Sequence, residues 1–157
     1  MNAIALPGAW DKPSVTDALA DELRKGLKSL ATVLTNAGVA IITNRITQAG
    51  TAPKNIGWGT STTAAAVTDT ALGTEFAPTT SGGRTVGTES RATTTVTNDT
   101  YQVVGTVTAN TAGTIAEAGL FDAVTAGNLL VHSVFTGVAV AIADSIAFTF
   151  QTKFVAA

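Results

Sequence analysis

The stretch Thr114-Ile115-Ala116-Glu117-Ala118-Gly119-Leu120-Phe121-Asp122-Ala123 sets one carboxylate and one glycine inside an otherwise apolar run. The run reads as an apolar strand over 114–120, followed by the turn-like Asp122. Alternation puts Glu117 on the face it shares with Ile115 and Gly119, toward the core or a subunit interface, so its carboxylate needs a partner. Arg45, Arg84 and Arg91 are candidates, with backbone amides beside Gly119 as the alternative. Glu117 is therefore read as a structural carboxylate, not as an acid–base catalyst.

Working outward from this strand, Gly, Pro, Asn and Asp recur between short β-branched runs from Val39 onward. The spacing predicts strands near 39–47, 55–59, 91–97, 102–109, 114–120, 129–136 and 145–155. Seven short strands of this kind favour an antiparallel β-sandwich or jelly-roll-like domain over 39–157. The Thr-, Ala-, Gly- and Ser-rich stretch 60–88 reads as a long loop within it. The large apolar side chains Ile115, Leu120, Phe121, Leu130, Val134, Phe135, Ile146, Phe148 and Phe150 are the expected core.

The front of the chain has a different period. Val15, Leu19, Leu23, Leu27, Leu30 and Leu34 recur at steps of three and four, which draws one stripe on a helix. Ser14 and Asp17 form a capping pair, and Asn36-Ala37-Gly38 supplies a stop, so the expected helix covers 14–38. Residues 1–13 show no period and read as an extended arm. Ile4, Leu6, Pro7 and Trp10 within it are apolar groups expected to bind a partner's surface.

Composition narrows the function. The chain has 157 residues, of which 13% are charged, a net charge of −2 and no cysteine. One ordinary core is expected. The absence of a basic field argues against nucleic-acid binding, and the missing thiols exclude disulfides, thiolate metal sites and a cysteine nucleophile. The start has no cationic, apolar leader pattern, and no apolar run approaches bilayer-spanning length, so synthesis in a cytoplasm and no membrane association are expected. Hydrophobic residues at 45% with so few charges suggest surface reserved for partners.

The residues that could carry chemistry are few. His132, the only histidine, lies in Leu129-Leu130-Val131-His132-Ser133-Val134-Phe135 and reads as a surface or interface residue on a strand. It has neither a second His nor a Cys nearby in sequence to make a metal site. Asp99, Asp122 and Asp144 sit in turn-like contexts and read as turn formers, with no ligand spacing for calcium. Gly82-Gly83-Arg84 lacks the frame of a phosphate loop and reads as a loop tip. Trp58, between Gly57 and Gly59, reads as a core aromatic. No catalytic residue, cofactor or metal is expected.

Four stretches together resemble a family of small tailed-phage and prophage structural proteins: Ile56-Gly57-Trp58-Gly59-Thr60, the 114–123 segment, the 129–135 segment, and Asp144-Ser145-Ile146-Ala147-Phe148-Thr149-Phe150-Gln151. The resemblance covers about the C-terminal two thirds and implies a β-sandwich module that forms homotrimers. It implies a non-enzymatic virion protein, either a capsid decoration (cement) protein on the outer surface of the major capsid protein shell or a tail-fibre, collar or receptor-binding module. The partners implied are the major capsid protein and further copies of the chain, and the location is the capsid's outer surface after synthesis in the host bacterial cytoplasm.

Overall fold

The computed structural model describes residues 31–76 and 83–155. The expected arm, with Ile4, Leu6, Pro7 and Trp10, and the part of the expected helix over 14–30 lie outside the described residues.

The described chain is mainly β, built of two antiparallel sheets and one short helix. Its elements are β1 (Ala31–Leu34), α1 (Asn36–Ile46), β2 (Asn55–Gly59), β3 (Thr85–Val86), β4 (Thr88–Ala92), β5 (Thr100–Thr108), β6 (Gly113–Phe121), β7 (Leu129–Val140) and β8 (Ser145–Lys153). The larger sheet has the order β1-β7-β6-β2-β3 and the smaller β4-β5-β8. Only Gly87 separates β3 from β4, so the chain steps from one sheet to the other at that corner.

The core between the sheets follows from alternation. Ile56 and Trp58 of β2, Ala118 and Leu120 of β6, Val131 of β7, Val103 and Val107 of β5 and Phe150 of β8 form one buried cluster with Ile41 of α1. Trp58 meets Phe76 and Phe148 edge to face, at centroid distances of 6.0 and 6.4 Å. Of the expected core, Ile115, Leu120, Phe121, Leu130 and Phe150 are buried, and Val134, Phe135, Ile146 and Phe148 are half-buried.

The larger sheet is also covered on its other face. Leu72, from the stretch after β2, packs there on Phe121 and Leu129 as a second cluster. Burial on both faces explains why β6 reads as an apolar run without polar alternation. Two breaks in register adjust this strand pair. Between the pairs Ile115↔Val138 and Glu117↔Val134, two steps along β6 match four along β7; between Leu120↔Val131 and Phe121↔Leu129, one step matches two. The first break places Ile115 in the core between the sheets, off the face of Glu117, against the alternation expected from numbering.

The helix and the first strand differ from expectation. Residues 31–34 form β1, paired antiparallel with β7 from Ala31↔Val134 to Leu34↔Val131. Asn36-Ala37-Gly38 opens a helix instead of ending one, and 39–47, expected as a strand, is helical through Ile46. Thr35 decides the switch. Its hydroxyl accepts the Gly38 N–H at 3.0 Å and donates to the Leu129 carbonyl, which caps α1 and fixes it to β7 at once. Gly38 is required there, because a Cβ would overlap the Leu130 carbonyl. The four-residue run Val39-Ala40-Ile41-Ile42 is too short for its period to separate helix from strand.

The expected strand at 91–97 is also displaced, since β4 ends at Ala92. The threonines that follow wrap around Asp99, whose carboxylate accepts the N–H groups of Thr94, Thr95 and Val96 and the hydroxyls of Thr94 and Thr100. Threonine here serves its hydroxyl and not its β propensity. Asp122 and Asp144 are turn formers too, accepting the N–H of Asn128 at 2.7 Å and of Ala141 at 2.8 Å.

Candidate functional site

Glu117 and His132 lie on adjacent strands of the β6–β7 hairpin, which the turn around Asp122 and Asn128 closes. Gly119 faces His132 across the pair, and its missing side chain leaves room for Leu129 and Leu72, whose side chains pack over it. His132 Nε2 lies 2.9 Å from Glu117 Oε2. On the ring's other side, His132 Nδ1 lies 2.7 Å from Asp69 Oδ2. The structure thus threads an imidazole between two carboxylates.

The stretch following β2 closes over this array. Glu117 Oε1 accepts the N–H groups of Thr74 at 2.7 Å and Ser61 at 3.2 Å, while Oε2 accepts the Gly73 N–H at 2.8 Å. Glu117 is fully buried and His132 is 3% exposed. Asp69, which also accepts the Ala66 N–H at 2.8 Å, is the solvent-facing end, with its side chain 27% exposed. Each ring nitrogen is thus within hydrogen-bond distance of a carboxylate oxygen, which fixes the ring from both sides.

These contacts correct three sequence expectations. His132 is buried, not at the surface, because β1 and β6 flank β7 on both sides and the 60–75 stretch covers its face. Glu117 is paired with none of the arginines. Its amide partners belong to Ser61, Gly73 and Thr74, not to residues beside Gly119. Arg84 is not a loop tip. It lies over the Phe121 ring at 3.2 Å, holds Glu75 through two bonds of 2.7 and 3.0 Å, and donates to the Ala123 and Ala126 carbonyls. Arg45 donates to the Gly50 carbonyl.

The signal for the Glu117–His132 pair was present in sequence as one titratable residue in each of two apolar runs, 114–121 and 129–135. Asp69 had no such signal, because it lies in a Thr- and Ala-rich stretch with no period. Trp58 is buried as expected, and its indole nitrogen has no hydrogen-bond partner among the described residues.

Chemically, the array is suited to fastening. Both ring nitrogens face carboxylates, so neither is placed to take a proton from a hydroxyl nucleophile. The Ser61 hydroxyl is turned to its own loop, accepting the Thr63 N–H at 3.2 Å. Among the described residues no group of His, Asp and Glu is arranged to hold a metal ion, and no helix is long and apolar enough to cross a membrane. No family model, curated protein or solved structure matches the chain.

The array sets an acid limit on stability. The Ala66 N–H, then the bond to His132 and its charge, hold the Asp69 carboxyl below its usual range. Three backbone N–H groups hold Asp99 lower still, that of Val96 most strongly. A depressed folded-state value means that each contribution is complete above the unfolded value of about 4 and is lost as pH falls through the folded one. We expect the denaturation midpoint to drop on acidification below about pH 4, and Asp69→Asn to flatten that drop while lowering the midpoint at neutral pH. Parallel acid profiles for Asp69→Asn and the parent chain would show that Asp69 has no such role.

Proposed function

We propose that this chain is a non-enzymatic structural protein of a bacteriophage virion, a capsid cement protein that binds the outer surface of the major capsid protein shell as a homotrimer and stabilises the expanded head. The observation that carries the reading is the use of the buried acid–base groups: Glu117 and His132 are spent on holding a long loop to a sheet. That arrangement favours a rigid body over a reactive one. The surface supports it further, since Val86, Val96, Val138 and Ile142 are exposed on a chain with few charges, and apolar side chains of this kind are available for contact with partners. Repeated modest contacts, made by each copy of a trimer on neighbouring shell subunits, resist opening through effective concentration and need no chemistry.

The test is the copy number in purified virions, measured by quantitative mass spectrometry against the major capsid protein. A simple ratio near that of a shell component is the expected result. A number far below it moves the chain to the tail or collar, and absence from virions overturns the proposal.

A further inference from the structure

A groove of about 380 Å³ opens between α1 and the end of the smaller sheet, inside the range of about 300–1,000 Å³ usual for small-molecule sites. It is a cleft into the core and not a surface dimple, because Ile41 and Leu130, both members of the buried cluster, line it. Its walls are largely aliphatic. Ile42 and Ile46 stand one helical turn apart on α1 and share the lining with Pro53 and Phe154. Ile46 and Phe154 are 77% and 50% exposed, so these walls hold apolar surface that a chain-like ligand would remove from water.

The groove also has polar groups, and their charges do not cancel. Arg45 lines it and donates from Nη1 to the Gly50 carbonyl at 2.9 Å, a single bond that orients the guanidinium and leaves it further N–H donors. Glu89 is already engaged through both oxygens: Oε1 lies 3.5 Å from Lys54 Nζ, and Oε2 accepts the Tyr101 hydroxyl at 3.1 Å. Burial, then the Glu89 charge, push the Tyr101 hydroxyl up, so it stays protonated and donating at neutral pH. Among the described residues the charges here are thus Arg45, Lys54 and Glu89, one positive charge in excess. An aliphatic cleft with one excess positive charge is complementary to an amphiphile that carries one negative charge. We propose that the groove binds a free fatty acid, with its chain along Ile42, Ile46, Leu130 and Phe154 and its carboxylate on Arg45. The guanidinium fork matches a carboxylate in shape as well as in charge. The volume is that of a site for one small molecule, which suits a single chain and not the paired chains of a membrane lipid.

The test is calorimetric titration of the full chain with sodium decanoate, below its micelle-forming concentration, and with decan-1-ol, which has the same chain and no charge. We expect decanoate to saturate one site per chain and to bind about tenfold more tightly than the alcohol, the difference that one charge-assisted hydrogen-bonded contact makes. Arg45→Gln should bring decanoate down to the level of decan-1-ol, and Ile46→Asp should weaken both by setting a carboxylate at the mouth. Both positions are exposed, so the variants are expected to fold, and equal melting temperatures check that. Absence of saturable decanoate binding overturns the proposal, whatever fills the groove in its place. Equal affinity for decanoate and decan-1-ol in the parent chain overturns the assignment of an anionic ligand, and decanoate binding that both substitutions leave unchanged overturns the site.

Discussion

Glu117→Ala is expected to lower the stability of the fold by about 4 kcal/mol, the range for breaking a buried hydrogen-bond network by removing its central acceptor. The substitution leaves the N–H groups of Ser61, Gly73 and Thr74 without an acceptor and strands His132 beside Asp69. Each unpaired buried donor costs about 1–3 kcal/mol when water cannot reach it, and partial opening of the loop to water is what keeps the sum near the lower end. In a domain of this size the loss corresponds to a fall of about 10 °C in Tm. Glu117→Gln should fall between, since its amide keeps the shape and one acceptor but turns a donor toward a donor. Calorimetry of the three proteins checks the order, and a Glu117→Ala protein that melts within about 1 kcal/mol of the parent would show that the array fastens nothing.

Gly59→Ala is the second large effect, about 3 kcal/mol, through overpacking in place of a lost bond. Gly59 pairs with Glu117 across the β2–β6 ladder, and a Cβ on it would overlap both Glu117 Oε1 and the Thr74 carbonyl. The Thr74 carbonyl is itself held by the Thr60 N–H at 3.0 Å, so the backbone has little freedom to yield. We expect limited proteolysis between residues 60 and 76 to accelerate in this variant well before the rest of the sheet is attacked. Because the new methyl group meets the carboxylate itself, the double variant with Glu117→Ala should lose less than the sum of the two. Strict additivity would place the strain on Thr74 alone.

Much of this site was legible in residues 56–60 and 114–123. Ile56 and Trp58 alternate with Gly57 and Gly59, and that pattern already states one face filled with large side chains and one face left bare. A lone carboxylate in β6 already demanded partners. What covered the bare face was not legible, because Ser61, Asp69, Gly73 and Thr74 contribute two backbone amides from glycine and threonine, one from serine and a single carboxylate from a stretch with no period. Backbone N–H groups are the same at every residue, so no residue type announces which of them will meet Glu117.

The same division runs through the rest of the chain. Residue pattern by itself determined the two-sheet antiparallel class, strand β2 to the residue, the cores of β5, β6, β7 and β8, and the roles of Asp99, Asp122 and Asp144 in turns. These depend on side-chain alternation and on local hydrogen bonds, both of which are written within a few residues. The helix over Asn36–Ile46, the strand before it, the register breaks in β7, and the burial of His132 between two carboxylates were decided only by tertiary structure. In each, a short segment with no strong preference of its own took the conformation that a distant strand made favourable: Thr35 against Leu129, Ala31–Leu34 along the edge of β7, and the 60–75 stretch over the glycine-lined face of β2 and β6.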